Sequence, residues 1–317
     1  MTIQFMEPLS HAWKRMKIAL FKPFDIHKWF VVGFNAFLAG LMEASNGGSG
    51  ARYSKGGHFG AFIHYPQTAW DWLTGHPMWA ALILFGVIVA IAVAVILTWL
   101  SARGTFMFLD NVVRDRAEIA KPWREYQKEG RSLFLWRLLL GIAAFITFSI
   151  VIAFFFARGA ALYDAGVSPA LPIGFIVGLG LAMLALVIIW GYISLFLKDF
   201  VAALMYRDRI SCGQAWKVFL GVFGKAPFHF IGFGILIFFL IIAFVIAVVL
   251  AGLLTCCIGW ILLAIPYIST VVTLPVWYAY RAFSLEFLAQ FGPEYDAFRR
   301  EGQGTATAPA VPTAPAA

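Results

Sequence analysis

The chain has 317 residues, of which 62% are hydrophobic and only 13% are charged. That charged share is about half of what a soluble domain carries, and it leaves long stretches with no charge. The composition therefore excludes a soluble enzyme, a disordered chain and a disulfide-rich secreted module. It indicates an all-α, multi-pass integral membrane protein, because the strands of an outer-membrane barrel would alternate in polarity.

Six apolar segments approach or exceed the length at which a helix crosses about 30 Å of hydrocarbon. In chain order they are residues 28–42, 78–100, 133–156, 173–197, 228–254 and 258–280. A signal peptide is the competing interpretation of the first segment. Against it, the preceding lead is long and amphipathic, and no small-x-small cleavage pattern precedes Asn46. The sequence therefore predicts six transmembrane helices.

The positions of Lys and Arg predict the orientation of these helices. Of these residues, 20 lie before the first segment, in the second and fourth connections, and after the sixth segment. The alternate connections hold only Arg52, Lys55 and Arg158. Because Lys and Arg stay on the inner face, both termini are expected to be cytoplasmic, in a prokaryotic cytoplasmic (inner) membrane. The net charge of +8 then faces anionic lipid headgroups as partners, and no nucleic acid is needed to explain it.

An internal repeat connects the basic segments. Arg-Asp-Arg occurs at 114–116 and again at 207–209, each time seven residues before a Trp-basic pair, and Trp13-Lys14 supplies a third such pair. We therefore predict one membrane domain over residues 1–300, built from three tandem units at about 8–105, 106–205 and 206–300. Each unit comprises a cytoplasmic amphipathic helix and a transmembrane hairpin. Residues 301–317 are rich in Ala, Pro and Thr and are expected to be disordered.

Each predicted amphipathic helix has an apolar stripe at helical spacing. The stripes are Leu9, Trp13, Met16 and Leu20 in the first helix, Ile119, Trp123 and Tyr126 in the second, and Cys212, Trp216, Phe219 and Phe223 in the third. Ser211 and Gln214 form an S-x-x-Q capping box at the start of the third helix. We expect these helices to lie in the headgroup plane, with Trp13, Trp123 and Trp216 as interfacial anchors.

The stretch from Phe21 to Ala39, with its Lys-Pro-Phe-Asp sequence, and the Phe-Gly-Pro-Glu-Tyr-Asp-Ala-Phe stretch at 291–298 carry a family resemblance. Together they resemble a domain-of-unknown-function family of prokaryotic six-span membrane proteins. That family is distantly similar to the membrane domain fused to some glycerophosphodiester phosphodiesterases. The resemblance implies a fold and a membrane location but no activity, because the phosphodiesterase chemistry belongs to a separate soluble barrel.

Few polar residues of the predicted spans suggest chemistry. Ionisable groups such as Arg137 and His229 lie near span ends, which argues against a proton relay. The speculative cavity-lining residues are Asn35 in the first span and Ser269, Thr270 and Thr273 in the sixth. The last three lie between two prolines, an arrangement seen in the discontinuous helices of transporters and also in ordinary kinked spans.

The long outer connection between residues 44 and 76 contains three histidines and one aspartate, at positions 58, 64, 71 and 76. Their spacing matches no compact metal motif, so no catalytic residue, cofactor or metal ligand is predicted. The leading hypothesis is a non-enzymatic lipid-interacting scaffold, or the membrane subunit of an assembly with a protein partner. The alternative is a transporter or lipid-translocating protein with a cavity between the repeats. An enzyme with an outer metal site ranks third.

Overall fold

A computed structural model describes residues 3–44, 65–165, 173–255 and 258–298 of the chain. Within these ranges all regular secondary structure is helical, of α, 3₁₀ or π type, and no strand occurs. The predicted all-α class is therefore confirmed for the described residues. Residues 301–317 lie outside these ranges, and so do Cys256 and Cys257, which are neighbours in the sequence.

The described residues form the following α-helices. In chain order they are α1 (Met6–Phe21), α2 (Ile26–Ala44), α3 (Tyr65–Gly75), α4 (Pro77–Arg114), α5 (Ala120–Glu125), α6 (Gln127–Asp164), α7 (Ile173–Phe196), α8 (Ala202–Asp208), α9 (Cys212–Lys225), α10 (Pro227–Leu254), α11 (Ile258–Ala264), α12 (Pro266–Val272) and α13 (Leu274–Ala289). A π-helical turn, Leu197–Val201, joins α7 to α8 without a break, and a 3₁₀ turn, Pro293–Tyr295, follows α13.

Among the described residues, four helical stretches are long and apolar enough to cross a membrane. They are Pro77–Arg114, Gln127–Leu162, Val177–Asp208 and Pro227–Leu254. These stretches indicate a membrane protein. The first predicted span corresponds to a shorter apolar helix, and the sixth is divided into α11, α12 and α13. The break between α11 and α12 and the break between α12 and α13 both occur beside a proline, because proline lacks the N–H that an uninterrupted helix needs.

The chain folds as two compact units. The first unit contains the described residues up to Ala39, then Arg103–Gly130, then those from Leu195 onward. The second contains the described residues of Gly40–Ala102 and Arg131–Ser194. This division follows packing and does not test the three predicted sequence repeats.

The centre of the first unit is a cluster of aromatic side chains from the π-helical turn, α9, α10 and α13. Its fully buried members are Phe200, Phe219, Phe230, Phe233 and Phe287. The ring centroids of Phe200 and Phe233 are 5.0 Å apart, and those of Phe233 and Phe287 are 4.8 Å apart. Such offset and edge-to-face pairs stabilise packing beyond the area that they bury.

The second unit buries very little of its apolar surface. None of the most apolar 18-residue stretch of α4 is buried, and only 6% of the corresponding stretches of α6 and of Val177–Asp208 is buried. Side chains such as Phe145 and Leu181 are more than half exposed. In a membrane these faces meet acyl chains, where an exposed Leu or Phe costs no free energy.

The structure corrects the predicted stripe of α1. The buried side chains of α1 are Pro8, Ala12, Met16, Ala19 and Leu20, whereas Trp13 is 47% exposed. The face that packs is therefore turned by about one residue from the predicted one. The reason is that α1 lies against α13, and alanines at the contact let the two backbones approach closely.

The predicted capping box of α9 is confirmed. The backbone N–H of Ser211 donates to Oε1 of Gln214 at 3.1 Å, and the box is complete in both directions. The buried side of α9 includes Cys212 and Phe219, as predicted, together with Ala215 and Val222. The second predicted helix is limited to the six residues of α5, and it is followed by the buried Tyr126.

Candidate functional site

A buried carboxylate near the end of α4 organises the first polar cluster. Asp110 is 2% exposed, and its Oδ1 accepts hydrogen bonds from the hydroxyls of Tyr126 at 3.1 Å and Tyr206 at 3.0 Å. Nε of Arg114, one helical turn later, lies 3.4 Å from the same oxygen. A buried carboxylate needs such donors and a positive charge to remain stable.

Arg209 closes this cluster from the residue after α8. It pairs with the carboxylate of Glu125, donates to the Glu125 carbonyl at 3.1 Å, and lies 3.6 Å from Glu129. Its guanidinium carbon stands 3.8 Å above the ring of Tyr126. Arg209 has a left-handed backbone (φ 56°), which ends α8 and turns the side chain onto α5.

Tyr126 acts in this cluster as a hydrogen-bond donor. Burial raises the pKa of its hydroxyl, and the neighbouring Asp110 carboxylate raises that pKa further. The hydroxyl therefore keeps its proton and its hydrogen bond to Asp110. The Asp110 cluster thus links α4 to α8 and to the residue after α5, whereas Oε2 of the neighbouring Glu129 is buried without a hydrogen-bond partner in the described part of the chain.

A second buried ion pair involves the π-helical turn. Asp199 is 0% exposed and lies 3.3 Å from Nη1 of Arg281, a residue of α13 that is also buried. The same Nη1 donates to the carbonyl of Lys198 at 2.8 Å, and the Tyr280 hydroxyl donates to the other oxygen of Asp199. π-Helical turns inside α-helices are frequent at functional sites, because they redirect side chains.

An open groove of about 500 Å³ lies between α1, α13 and the end of α4. It is lined by His11, Lys14, Arg15, Ile18, Ala19, Val112, Val113, Asp115, Tyr278 and Glu286. Arg15 is held by Glu286 at 2.8 Å and stacks over Phe298 at 3.7 Å. The groove therefore combines open volume with charged side chains, and we name it the α1 groove.

Comparison with known proteins identifies the family to which the chain belongs. A family model described as a family of unknown function (DUF7544) matches residues 4–289, which include α1 through α13. The chain belongs to this family. No curated protein and no solved structure gives a significant match.

Membership in DUF7544 confirms the expected family of unknown function over nearly the whole chain. The match carries no link to glycerophosphodiester phosphodiesterases or to prokaryotes, so those two parts of the resemblance stay expectations. The 291–298 stretch, which contributed to the resemblance, lies beyond the matched residues.

The predicted cavity residues have separate hydrogen-bond partners in the structure. Asn35 is fully buried, and its Nδ2 donates to the carbonyl of Glu118 at 3.2 Å. The hydroxyls of Thr270 and Thr273 donate to carbonyls one turn earlier in their own helix, at 3.1 and 2.8 Å. The carbonyl that receives the Thr273 hydroxyl belongs to Ser269. None of these hydrogen bonds joins the three residues to Asn35, so a shared cavity stays a prediction.

The three predicted tryptophan anchors all belong to the first unit. Trp13 is exposed, with the Lys17 ammonium 5.7 Å from its ring. Trp123 is half-buried beneath the guanidinium of Arg103 at 4.8 Å, and Trp216 is half-buried against Phe219 at 5.8 Å. Amphipathic rings at a boundary are expected to be half-covered in this way, but an interfacial role still awaits a test.

The sequence reasoning missed the buried carboxylates. Asp110 and Asp199 are both buried, and neither was among the predicted site residues. The available signal was that each interrupts an apolar run, Asp110 one turn before an arginine and Asp199 directly after Lys198. In the residues that the structure describes, no three His, Cys, Asp or Glu side chains converge as metal ligands. His58 and His64 lie outside those residues.

Proposed function

We propose that this chain is a non-enzymatic, six-span scaffold protein of a prokaryotic cytoplasmic membrane, with three tandem helix-plus-hairpin repeats. In this proposal α1, the basic connections and both termini lie at the cytoplasmic face, and this basic surface binds anionic lipid headgroups. The lipid-facing helices of the second unit anchor the scaffold and offer a surface to a protein partner of an assembly.

The segregation of charge carries this proposal. Of the 24 Lys and Arg, the second unit contains five: Arg52, Lys55, Arg131, Arg137 and Arg158. The remainder belong to the first unit, whose helix α1 also exposes Trp13 and Phe21 beside Lys17. Exposed aromatic rings next to lysines are typical of a surface that lies against anionic headgroups.

Most of the hydrogen bonds of the predicted cavity residues favour a scaffold over the transporter alternative. Asn35 Nδ2 is bonded to the backbone after α4, although Oδ1 of Asn35 has no hydrogen-bond partner among the described residues. The hydroxyls of Thr270 and Thr273 are bonded to carbonyls one helical turn earlier. A transport pathway needs polar groups that can exchange partners with a passing solute. The buried Asp110 and Asp199 are likewise engaged with arginines and tyrosines.

The orientation is tested by labelling single cysteines in a background whose native cysteines are alanines. Lys17→Cys and Asp71→Cys place thiols at exposed positions of α1 and α3. We expect a membrane-impermeant maleimide to label Asp71→Cys in intact cells and Lys17→Cys only after permeabilisation. The opposite pattern would refute a cytoplasmic position for α1.

Lipid binding is tested by extracting the protein in native lipid particles and identifying the lipids and proteins that co-purify. The proposal expects anionic phospholipids to be enriched over their share in the membrane. Lys14, Lys17 and Lys22 changed together to Gln should reduce that enrichment, whereas Arg158→Gln in the second unit should not. Bulk lipid composition in the wild-type particles would contradict the proposal.

A further inference from the structure

We propose that the α1 groove is a specific site for a phosphate-bearing headgroup, with the adjoining part of a lipid lying along its apolar wall. This inference rests on the proposed function and sharpens it, because it replaces a diffuse basic surface with one built site. The phosphate would lie against α1, between the basic side chains and the end of α4.

One face of α1 supplies the donors. His11, Lys14 and Arg15 are spaced at i, i+3 and i+4, so their side chains share one side of the helix. Lys14 is an exposed point charge, whereas the planar guanidinium of Arg15 is fixed by Glu286 and Phe298. A fixed guanidinium beside a mobile ammonium suits a phosphate, which accepts several charge-assisted hydrogen bonds.

The carboxylates of the groove are already neutralised. Glu286 is paired with Arg15 at 2.8 Å, and Asp115 is paired with Lys28 at 2.9 Å. The charge of Lys14 is therefore left in excess, and a monoanionic phosphate diester would balance it. Asp115 is held at the rim by a left-handed backbone (φ 49°) that ends α4.

Part of the groove wall is apolar and suits the glycerol and first acyl carbons of a lipid. Ile18 of α1 is 60% exposed beside the groove, and Val113 of α4 lines it together with the buried Val112. The Tyr278 hydroxyl donates to the carbonyl of Val112 at 3.2 Å and so fixes the floor. A volume of about 500 Å³ is within the range of small-molecule sites.

The test uses the full-length protein, purified in detergent and titrated with dioleoylphosphatidylglycerol under native mass spectrometry. Lys14→Gln removes the unneutralised charge of the groove. Lys17→Gln, one turn further along α1 and not among the residues that line the groove, is its matched control. We expect Lys14→Gln to weaken binding about fivefold and Lys17→Gln by less than about twofold. The double variant His11→Gln and Lys14→Gln should weaken it further.

Dioleoylglycerol, which has the same acyl chains and no phosphate, is the ligand control. If the wild-type protein binds it as well as phosphatidylglycerol, or if Lys14→Gln and Lys17→Gln weaken binding equally, the groove is not a phosphate site. Equal losses would leave the proposed function standing, because a diffuse basic surface predicts them. Because Lys14 is exposed, its variant should keep the thermal midpoint of the wild type, which a parallel melt checks.

Competition by inorganic phosphate identifies the source of the headgroup chemistry. If millimolar phosphate displaces phosphatidylglycerol from the wild-type protein but not from Lys14→Gln, the groove recognises phosphate by itself. If phosphate does not compete while the Lys14→Gln effect persists, the apolar wall is part of the site and the ligand is a lipid.

Discussion

Apart from α10, whose most apolar stretch is only 11% buried, the two units use the same kinds of helices in opposite ways. In the first unit, Phe200, Phe219 and Phe287 pack on one another, and an aspartate and an arginine are buried together in the interior. In the second unit, the apolar stretches of α4 and α6 remain almost entirely uncovered. Hydrophobicity is therefore not what distinguishes a packed helix from an unpacked one in this chain. Lipid solvates apolar side chains as well as protein does, so close packing and polar contacts decide where helices meet.

Helix α4 contains this contrast within one element. A Cβ added at Gly86, in the second unit, would meet nothing within 4 Å. A Cβ added at Gly104, in the first unit, would lie 2.6 Å from Cβ of Leu38 and from the backbone nitrogen of Ala39. The contrast between the units can therefore be tested with paired substitutions of the same type.

The largest effect is expected from the buried ion pair. Asp199→Ala removes the carboxylate and leaves Arg281 buried with an uncompensated charge, so we expect a loss of about 3–5 kcal/mol in the free energy of unfolding. Unfolding of the purified protein by SDS in mixed micelles measures this loss. The control is Asp71→Ala in the exposed part of α3, which should leave the free energy unchanged. A loss below about 1 kcal/mol for Asp199→Ala would contradict the assigned burial of this pair.

The next effect concerns aromatic packing. Phe200→Ala empties the centre of the aromatic cluster, and we expect the free energy of unfolding to fall by about 3 kcal/mol. This value is at the lower end for such truncations, because an apolar environment also solvates the apolar side chains of the unfolded chain. Phe145→Ala in the second unit truncates a ring that is 73% exposed, and it should change stability little. Equal losses in the two variants would mean that the second unit is packed as tightly as the first.

The third effect uses the glycines of α4. Gly104→Ala forces α2 and α4 apart, and we expect a loss of about 1–3 kcal/mol from overpacking. Gly86→Ala should be neutral or stabilise by up to about 1 kcal/mol, because alanine is the better helix former. We expect SDS titration to show that Gly104→Ala lowers the free energy of unfolding and that Gly86→Ala does not. A destabilising Gly86→Ala would show that α4 packs along its whole length.

Much of the helical architecture was predictable from the sequence. The apolar runs at 78–100, 133–156 and 228–254 are long and carry a single Lys or Arg, Arg137, near the start of the second run. Each run lies within one long helix of the structure. The capping box of α9 was also predictable, because Ser211 and Gln214 are sequence neighbours whose hydrogen bonds are local. The six-span topology and the repeats, by contrast, stay predictions.

The polar contacts were not predictable, because they join residues distant in sequence. Asp110 and Tyr206 are 96 residues apart, and Asp199 and Arg281 are 82 apart. Periodicity reports which side of a helix is apolar but not which neighbour covers it. For the same reason the buried face of α1 was misplaced by about one residue: the partner that selects Ala12 and Ala19 is α13, at the other end of the chain. The α1 groove likewise exists only where these distant elements meet.

The smallest effect is expected from single hydroxyl groups, and it compares a tertiary hydrogen bond with a local one. Tyr206→Phe removes one of the donors to Asp110 but leaves Tyr126 and Arg114 in place, so we expect a loss of about 1–2 kcal/mol. In the second unit, the Thr147 hydroxyl donates only to the carbonyl of Ala143 in its own helix, at 2.7 Å. Thr147→Val should therefore change the free energy of unfolding by less than about 0.5 kcal/mol, because that carbonyl keeps its backbone partner. If both variants lose the same free energy, the Asp110 cluster does not hold the first unit together, and the contrast between the two units rests on aromatic packing and close helix approach alone.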